Sequence, residues 1–284
     1  MGKKVNLFIV GAPKCGTTSL ANYLGRSSHV FLPKMKEPHF FSNHILEESK
    51  RSYIRSFEQY NELYGSNAAL SAEYCVDASV WYYSHKKIAQ KIFEYNPDAK
   101  IIFIIRNPID AIRSLYLHRA MALEENEKDI NKALLLEKHR KDGFYVPANL
   151  QSATQGLYYT ENYNYVDKIK SYQEVFGSEN VKVLFFDMLV ANKVALLQEV
   201  FGFLKIGYDL DQDVIEQKYN EGLRYRNTKY NQILKLIPKK IKRILKPEKF
   251  VYLDKKINAL LKKNDLLSEY NRTTKSILSD FYLP

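Results

Sequence analysis

The 284-residue chain is 45% hydrophobic and 26% charged, long enough to bury a sizeable core and most simply read as one α/β domain over residues 1–284. Its two cysteines, Cys15 and Cys75, exclude a disulfide framework, and no apolar run reaches the length that spans a bilayer. The formal charge of +11 is lopsided, because residues 222–275 carry 16 Lys/Arg against 4 Asp/Glu and the remainder is close to neutral. No signal peptide precedes the first apolar segment, so a cytoplasmic, reduced protein is expected.

Residues 5–10 form an apolar, β-branched-rich run that predicts a buried parallel strand. A tight turn bracketed by Gly11 and Gly16 follows, and Thr17, Thr18 and Ser19 open a helix that continues through Leu24. The amides of such a turn, with the positive end of the helix dipole, make a site for a phosphate-like anion. The familiar nucleotide loop is GxxxxGK[ST]. Here it reads GAPKCGTT, with Thr17 where the lysine would stand and Lys14 inside the turn. Lys14, Cys15, Gly16, Thr17, Thr18 and Ser19 are therefore the candidate anion-binding residues, Cys15 as a small side chain rather than a catalytic thiol.

Residues 30–44, VFLPKMKEPHFFSNH, are predicted to be a loop, since Pro33 and Pro38 prevent a regular helix. The loop carries Lys34, Lys36, Glu37 and His39, with Phe40 and Phe41 anchoring it to the core. Residues 48–63 are predicted helical, 69–76 a second strand with Asp77 at its end, and 84–95 an amphipathic helix stopping before Asn96-Pro97. Residues 100–105 are a third buried strand that ends at Arg106, and Pro108 suits the first turn of the next helix. Ligands of parallel sheets bind beyond the carboxyl ends of the strands, which is where Arg106 falls. Ser114 follows eight residues on, near the inner face of that helix.

Next come a charged helix over 123–141, a looser stretch over 143–156 and a tyrosine-rich helix over 157–176. A fourth strand over 180–187 and helices over 191–206 and 211–219 complete the pattern. Strands alternating with helices predict a P-loop-containing nucleotide-binding fold, with a central parallel sheet of four to five strands flanked by helices. Residues 222–284 read as a basic helical segment broken by Pro238 and Pro247. Within it, residues 233–245 set an apolar stripe beside Lys235, Lys239, Lys240, Lys242 and Arg243. That stripe suits packing on the core, or peripheral contact with an anionic membrane or acidic glycan. No nucleic-acid partner is expected.

Three motifs in order resemble the sulfotransferases, in particular their bacterial and heparan-sulfate-type carbohydrate branch. They are Pro13-Lys14-Cys15-Gly16-Thr17-Thr18 after the first strand, Lys36-Glu37-Pro38-His39-Phe40-Phe41, and Arg106 with Ser114 eight positions later. The resemblance runs from residue 5 to about 206 and takes in GLYYTENYNYVDKIKSYQEVF. It implies sulfuryl transfer from 3′-phosphoadenosine 5′-phosphosulfate, with no required metal, to a hydroxyl or amine of a glycan, glycolipid or small-molecule acceptor. The loop and its threonines would hold the 5′-phosphate, and Lys14 would neutralise charge on the bridging oxygen as the S–O bond breaks. Arg106 with Ser114 would bind the 3′-phosphate. Glu37 is the expected general base, with His39 competing, and Glu73 and Asp77 are runner-up carboxylates expected to cap or to position the acceptor. Ser19 stands where small-molecule members carry an adenine-stacking tryptophan, and the later Arg-Lys-Gly element is not recognisable. Arg224 and Arg226 are its candidate replacements, with Tyr225 for the adenine. The alternatives are a nucleotide kinase or ATPase, for which Asp187 is the one acidic residue after an apolar strand, and a non-catalytic polyanion- or membrane-binding protein. The oligomeric state is not legible.

Overall fold

The computed structural model describes residues 2–43 and 54–216, which gather into two compact units. The first unit holds residues 2–43, 54–106 and 165–216, and the second holds 107–164. The predicted basic segment, with Arg224, Arg226 and Tyr225, lies outside the described residues, as do residues 48–53 and 217–219 of two predicted helices.

In the first unit, β1 (Leu7–Gly11) is buried throughout and runs through the loop into α1 (Thr17–Leu24), which turns Leu20, Ala21, Tyr23 and Leu24 inward. A two-residue strand, β2 (Val30–Phe31), interrupts the predicted loop just ahead of Pro33. α2 (Phe57–Glu62) is capped by Ser56, whose hydroxyl accepts from Gln59 N at 3.2 Å. The strand expected over 69–76 is shorter. Ser66 accepts from Ala69 N at 3.2 Å and starts α3 (Asn67–Ser71), so that β3 spans only Tyr74–Asp77. A serine cap followed by Asn-Ala-Ala-Leu favours a helical turn over extended backbone. α4 (Lys86–Tyr95) and β4 (Lys100–Ile105) follow as predicted.

The second unit is helical. α5 (Pro108–Met121) opens with Asn107 accepting from Ile109 N at 3.0 Å, and α6 (Ile130–Leu135), α7 (Glu137–Lys141) and α8 (Tyr159–Asn162) are short. The continuous charged helix expected over 123–141 is absent: Leu123 takes a left-handed φ of 58° and Asp129 caps α6 afresh. Four charges of that stretch, Glu124, Glu125, Glu137 and Arg140, are buried. Arg140 grips Glu125 with two bonds of 2.7 Å, and the Tyr159 hydroxyl donates to the same carboxylate at 2.8 Å. Arg119 pairs with Glu124 at 2.5 Å, and Ser152 donates to Glu124 at 2.7 Å.

Back in the first unit, α9 (Val166–Phe176) starts later than expected. The predicted helix over 157–176 is interrupted at residues 163–165, where Asn162 and Asn164 favour a turn. β5 (Val181–Phe185), α10 (Phe186–Ala191), α11 (Lys193–Leu204) and α12 (Gln212–Glu216) close the unit.

The five strands form one sheet in the order β2-β3-β1-β4-β5, and every pairing is parallel. Burial on both faces explains why β1 and β4 are continuous apolar runs rather than alternating ones. Each fully buried isoleucine of β4 contributes about 1.5–3 kcal/mol over its exposed state. On one face Phe8 packs edge-on to Phe41 at 5.8 Å, and Phe40 stacks on Tyr60 at 4.7 Å, so the aromatic pair does anchor its loop. Because β1 lies between β3 and β4, the segments leaving Gly11, Asp77 and Ile105 emerge at the same edge of the sheet. That edge is where a ligand of such a sheet binds.

Candidate active site

The loop between β1 and α1 depends on two glycines. A side chain at Gly11 would stand 2.7 Å from the Tyr83 ring. Gly16 has φ 93°, and a Cβ there would meet the Phe186 ring at 2.9 Å. Lys14 also takes left-handed backbone, with φ 62°, on the outer part of the turn. The Cys15 thiol points inward, 3.4 Å from Pro13 O and 3.6 Å from the Tyr165 hydroxyl. Burial pushes that thiol up to about 12, against its hydrogen bond with Tyr165, so at neutral pH it is a small neutral side chain. Thr17 is buried, while Lys14, Gly16, Thr18 and Ser19 are partly open.

Tyr165 ties this loop to the end of β4. Its hydroxyl donates to Arg106 O at 3.0 Å. The Arg106 guanidinium lies 4.6 Å from the centre of the Phe186 ring, the same ring that packs against Gly16. Phe186 thus orients a cation beside the anion loop. Ser114 stands on α5 of the second unit.

Glu37 and His39 both have φ 55°, on either side of Pro38. Left-handed backbone at such residues costs about 1–3 kcal/mol each and persists only where the surroundings over-determine it. Here they do. His39 N donates to Ser79 Oγ at 3.0 Å, Phe41 N to the Tyr82 hydroxyl at 3.3 Å, and Ile54 N to Pro38 O at 3.2 Å. Behind them the carboxylate of Asp77, fully buried at the end of β3, accepts from Ser79 at 2.6 Å, Tyr82 at 2.8 Å and Tyr60 at 2.9 Å. Burial raises the Asp77 carboxyl above its ordinary value despite these three hydroxyls. Asp77 therefore supports the loop from behind. The other runner-up, Glu73, precedes β3 at the opposite edge of the sheet and pairs with His29 at 2.5 Å.

The Glu37 carboxylate is 28% exposed, whereas the His39 ring is buried, with Nε2 3.4 Å from Glu37 Oε2 and Nδ1 3.4 Å from Ser42 Oγ. Lys36 lies 3.1 Å from Glu37 Oε1, and its ammonium also donates to the Thr18 hydroxyl. Burial alone would raise the Glu37 carboxyl, but the His39 hydrogen bond and the Lys36 charge outweigh it and hold the group down at about 2. Since this lies below the ordinary carboxylate range, the stabilisation it brings is present above that range and is lost as pH falls through about 2. The chain thus places an ionised carboxylate beside a cationic anion loop.

Comparison with known proteins decides the family. The description "Sulfotransferase domain" matches residues 4–271. The chain belongs to the sulfotransferase family. A solved sulfotransferase from Alicyclobacillus acidocaldarius is 30% identical, with a TM-score of 0.63 over 75% of this chain and 88% of that one. The sulfotransferase domain of the Synechococcus PCC 7002 olefin synthase, at 16% identity and a TM-score of 0.50 over 75% and 77%, shares the fold. Among curated relatives, the membrane-associated sulfotransferase kil1 of Dictyostelium discoideum is 28% identical over 122 residues, 43% of this chain and 24% of that protein. The bifunctional heparan sulfate N-deacetylase/N-sulfotransferase 1 of Xenopus laevis is 26% identical over 117 residues, 40% of this chain and 13% of that protein. These matches span a quarter or less of either curated relative. Family membership does not favour the kinase and non-catalytic alternatives. Sequence reasoning missed Lys36 as the bridge to Thr18; it missed Ser79 and Phe186, which no local motif marks, and it gave no role to Tyr165 within the GLYYTENYNYVDKIKSYQEVF stretch.

Proposed function

We propose that this sulfotransferase-family protein moves a sulfuryl group from 3′-phosphoadenosine 5′-phosphosulfate to a hydroxyl or amine of a glycan or glycolipid. The observation that carries this reading is the juxtaposition of Glu37 with the anion loop through Lys36 and Thr18. The activated sulfate supplies a good leaving group, the 5′-phosphate. Loop amides with the Thr17 and Thr18 hydroxyls hold that phosphate, and Lys14 neutralises the bridging oxygen as it takes the electron pair of the breaking S–O bond. Glu37 accepts the acceptor's proton as its oxygen or nitrogen bonds to sulfur. His39, buried behind Glu37, orients the carboxylate. Arg106, presented by Phe186, binds the 3′-phosphate. The glycan assignment is supported by the Lys-Glu-Pro-His-Phe-Phe motif and by the heparan sulfate activity named for the Xenopus relative.

Calorimetry tests the donor. Adenosine 3′,5′-bisphosphate is expected to bind roughly tenfold to hundredfold more tightly than AMP, since one charge-assisted contact is worth about 1.5–3 kcal/mol. Arg106→Ala should remove most of that preference and leave AMP binding nearly unchanged. Equal affinity of the wild type for both nucleotides would refute the assignment.

The basic segment and the membrane-associated Dictyostelium relative together support peripheral contact with anionic lipid. No helix among the described residues is long and apolar enough to cross a membrane. Each basic residue near an anionic surface contributes on the order of 1 kcal/mol. Pelleting with anionic vesicles should therefore be salt-sensitive, absent with neutral vesicles, and lost when Lys239, Lys240 and Lys242 are changed to Glu.

A further inference from the structure

Lys36 stands between the two halves of the proposed chemistry. Its ammonium donates to Thr18, a hydroxyl that the loop offers to an incoming anion, and at 3.1 Å it neutralises Glu37 Oε1, on the carboxylate that must take a proton. One cation thus serves two partners, and its side chain is 50% exposed, on a flexible stem able to swing between them. An anion seated at Thr18 would add negative charge beside that ammonium and compete with Glu37 for it.

We propose that Lys36 is the shared cation of the site: the donor draws it from Glu37 to its own anionic group, and donor binding thereby frees Glu37 to act as the base. The inference rests on the function proposed above. Its chemical sense follows from the groups facing Glu37, which are Lys36 and His39 on its own loop, with Asp77 of β3 behind His39. A carboxylate held at about 2 by two such partners is a weak proton acceptor at neutral pH. Losing a cation within about 4–6 Å raises a carboxyl by about 1–3 pKa units, which brings it towards a useful range. Lys36 would then act in order, stabilising the unliganded loop first and the bound donor afterwards. Glu37 would become basic only when there is a sulfuryl group to transfer.

A double-mutant cycle on adenosine 3′,5′-bisphosphate affinity, read by calorimetry at neutral pH, tests this without needing the acceptor. Lys36→Met should weaken binding about tenfold, the loss of one charge-assisted contact, and Lys36→Arg should restore most of it. Glu37→Gln should tighten binding several-fold, because the competitor for Lys36 is gone. In the Lys36→Met background Glu37→Gln should change nothing. Circular dichroism spectra matching the wild type would show that these partly exposed substitutions leave the fold intact, and Lys36→Gln replaces Lys36→Met if the latter does not fold. An equal gain from Glu37→Gln in both backgrounds would mean simple repulsion between the carboxylate and the nucleotide, and would overturn the proposal. So would no gain in either background. Failure of the wild type to bind the nucleotide at all would instead overturn the donor assignment, and this inference with it.

Discussion

Glu37→Gln is expected to lower sulfuryl transfer by about 10²–10⁴-fold, the usual contribution of a general base. The amide keeps the size of the side chain and its place on the strained loop but cannot take a proton. Affinity for adenosine 3′,5′-bisphosphate should not fall, which separates a lost base from a damaged site. Lys14→Ala should abolish turnover too, with the opposite signature of weakened nucleotide binding, because Lys14 lies in the turn proposed to hold the phosphate. Transfer of labelled sulfate from the donor into a panel of glycans and glycolipids provides the measurement. Near-normal transfer by Glu37→Gln, with loss in His39→Ala, would assign the base to the histidine. The geometry argues against that outcome, since the His39 ring is buried behind Glu37 with Nδ1 facing Ser42.

The second large effect concerns stability. Arg140 and Glu125 are side chains with 1% and 0% exposure, joined by two bonds of 2.7 Å. Removing one partner of such a pair strands a buried charge and typically costs about 3–5 kcal/mol. Arg140→Met should therefore cost about that much in urea denaturation, leaving Glu125 with the Tyr159 hydroxyl that donates to it at 2.8 Å. The double replacement Arg140→Met with Glu125→Leu should recover much of the loss, because no charge then remains to be solvated. If the double variant proved as unstable as the sum of the singles, the pair would be favourable in itself rather than merely costly to break. Neither residue belongs to the proposed site, so the nucleotide affinity of any variant that folds should be unaffected.

The parts of this protein that were legible from sequence are those whose cause is local. The turn between Gly11 and Gly16 is written in six consecutive residues, and β4 with Arg106 at its end in seven. Parallel pairing was legible as well, because a strand covered on both faces must be apolar throughout, as residues 100–105 nearly are. What escaped depends on partners far apart in the chain. Tyr165 reaches Cys15 across 150 residues, and Ser79 reaches His39 across 40. A lone tyrosine or serine gives no sign of such a partner. The charged stretch over 123–141 misled for a related reason. Glu124, Glu125, Glu137 and Arg140 carry the composition of a solvated helix face, yet each is buried against a matching group. Charge pattern alone does not distinguish water from a buried counter-ion. Glu37 was visible by its motif, but its setting was not. That setting depends on two left-handed residues that no composition reveals.

Phe186 has a consequence of its own. One ring meets the cation of Arg106 at 4.6 Å from its centre and blocks a Cβ at Gly16 at 2.9 Å. The span from the phosphate turn to the arginine is therefore set by the bulk of a single rigid plane rather than by the reach of a flexible chain. If the donor binds as proposed, with an anion at each place, the ring would act as a gauge that reads a ligand by the separation of its two charges. Phe186→Leu would fill part of the space but remove the flat face, and the gauge would lose its calibration. Selectivity among doubly charged nucleotides should then blur even though every residue proposed to hold a phosphate is still present.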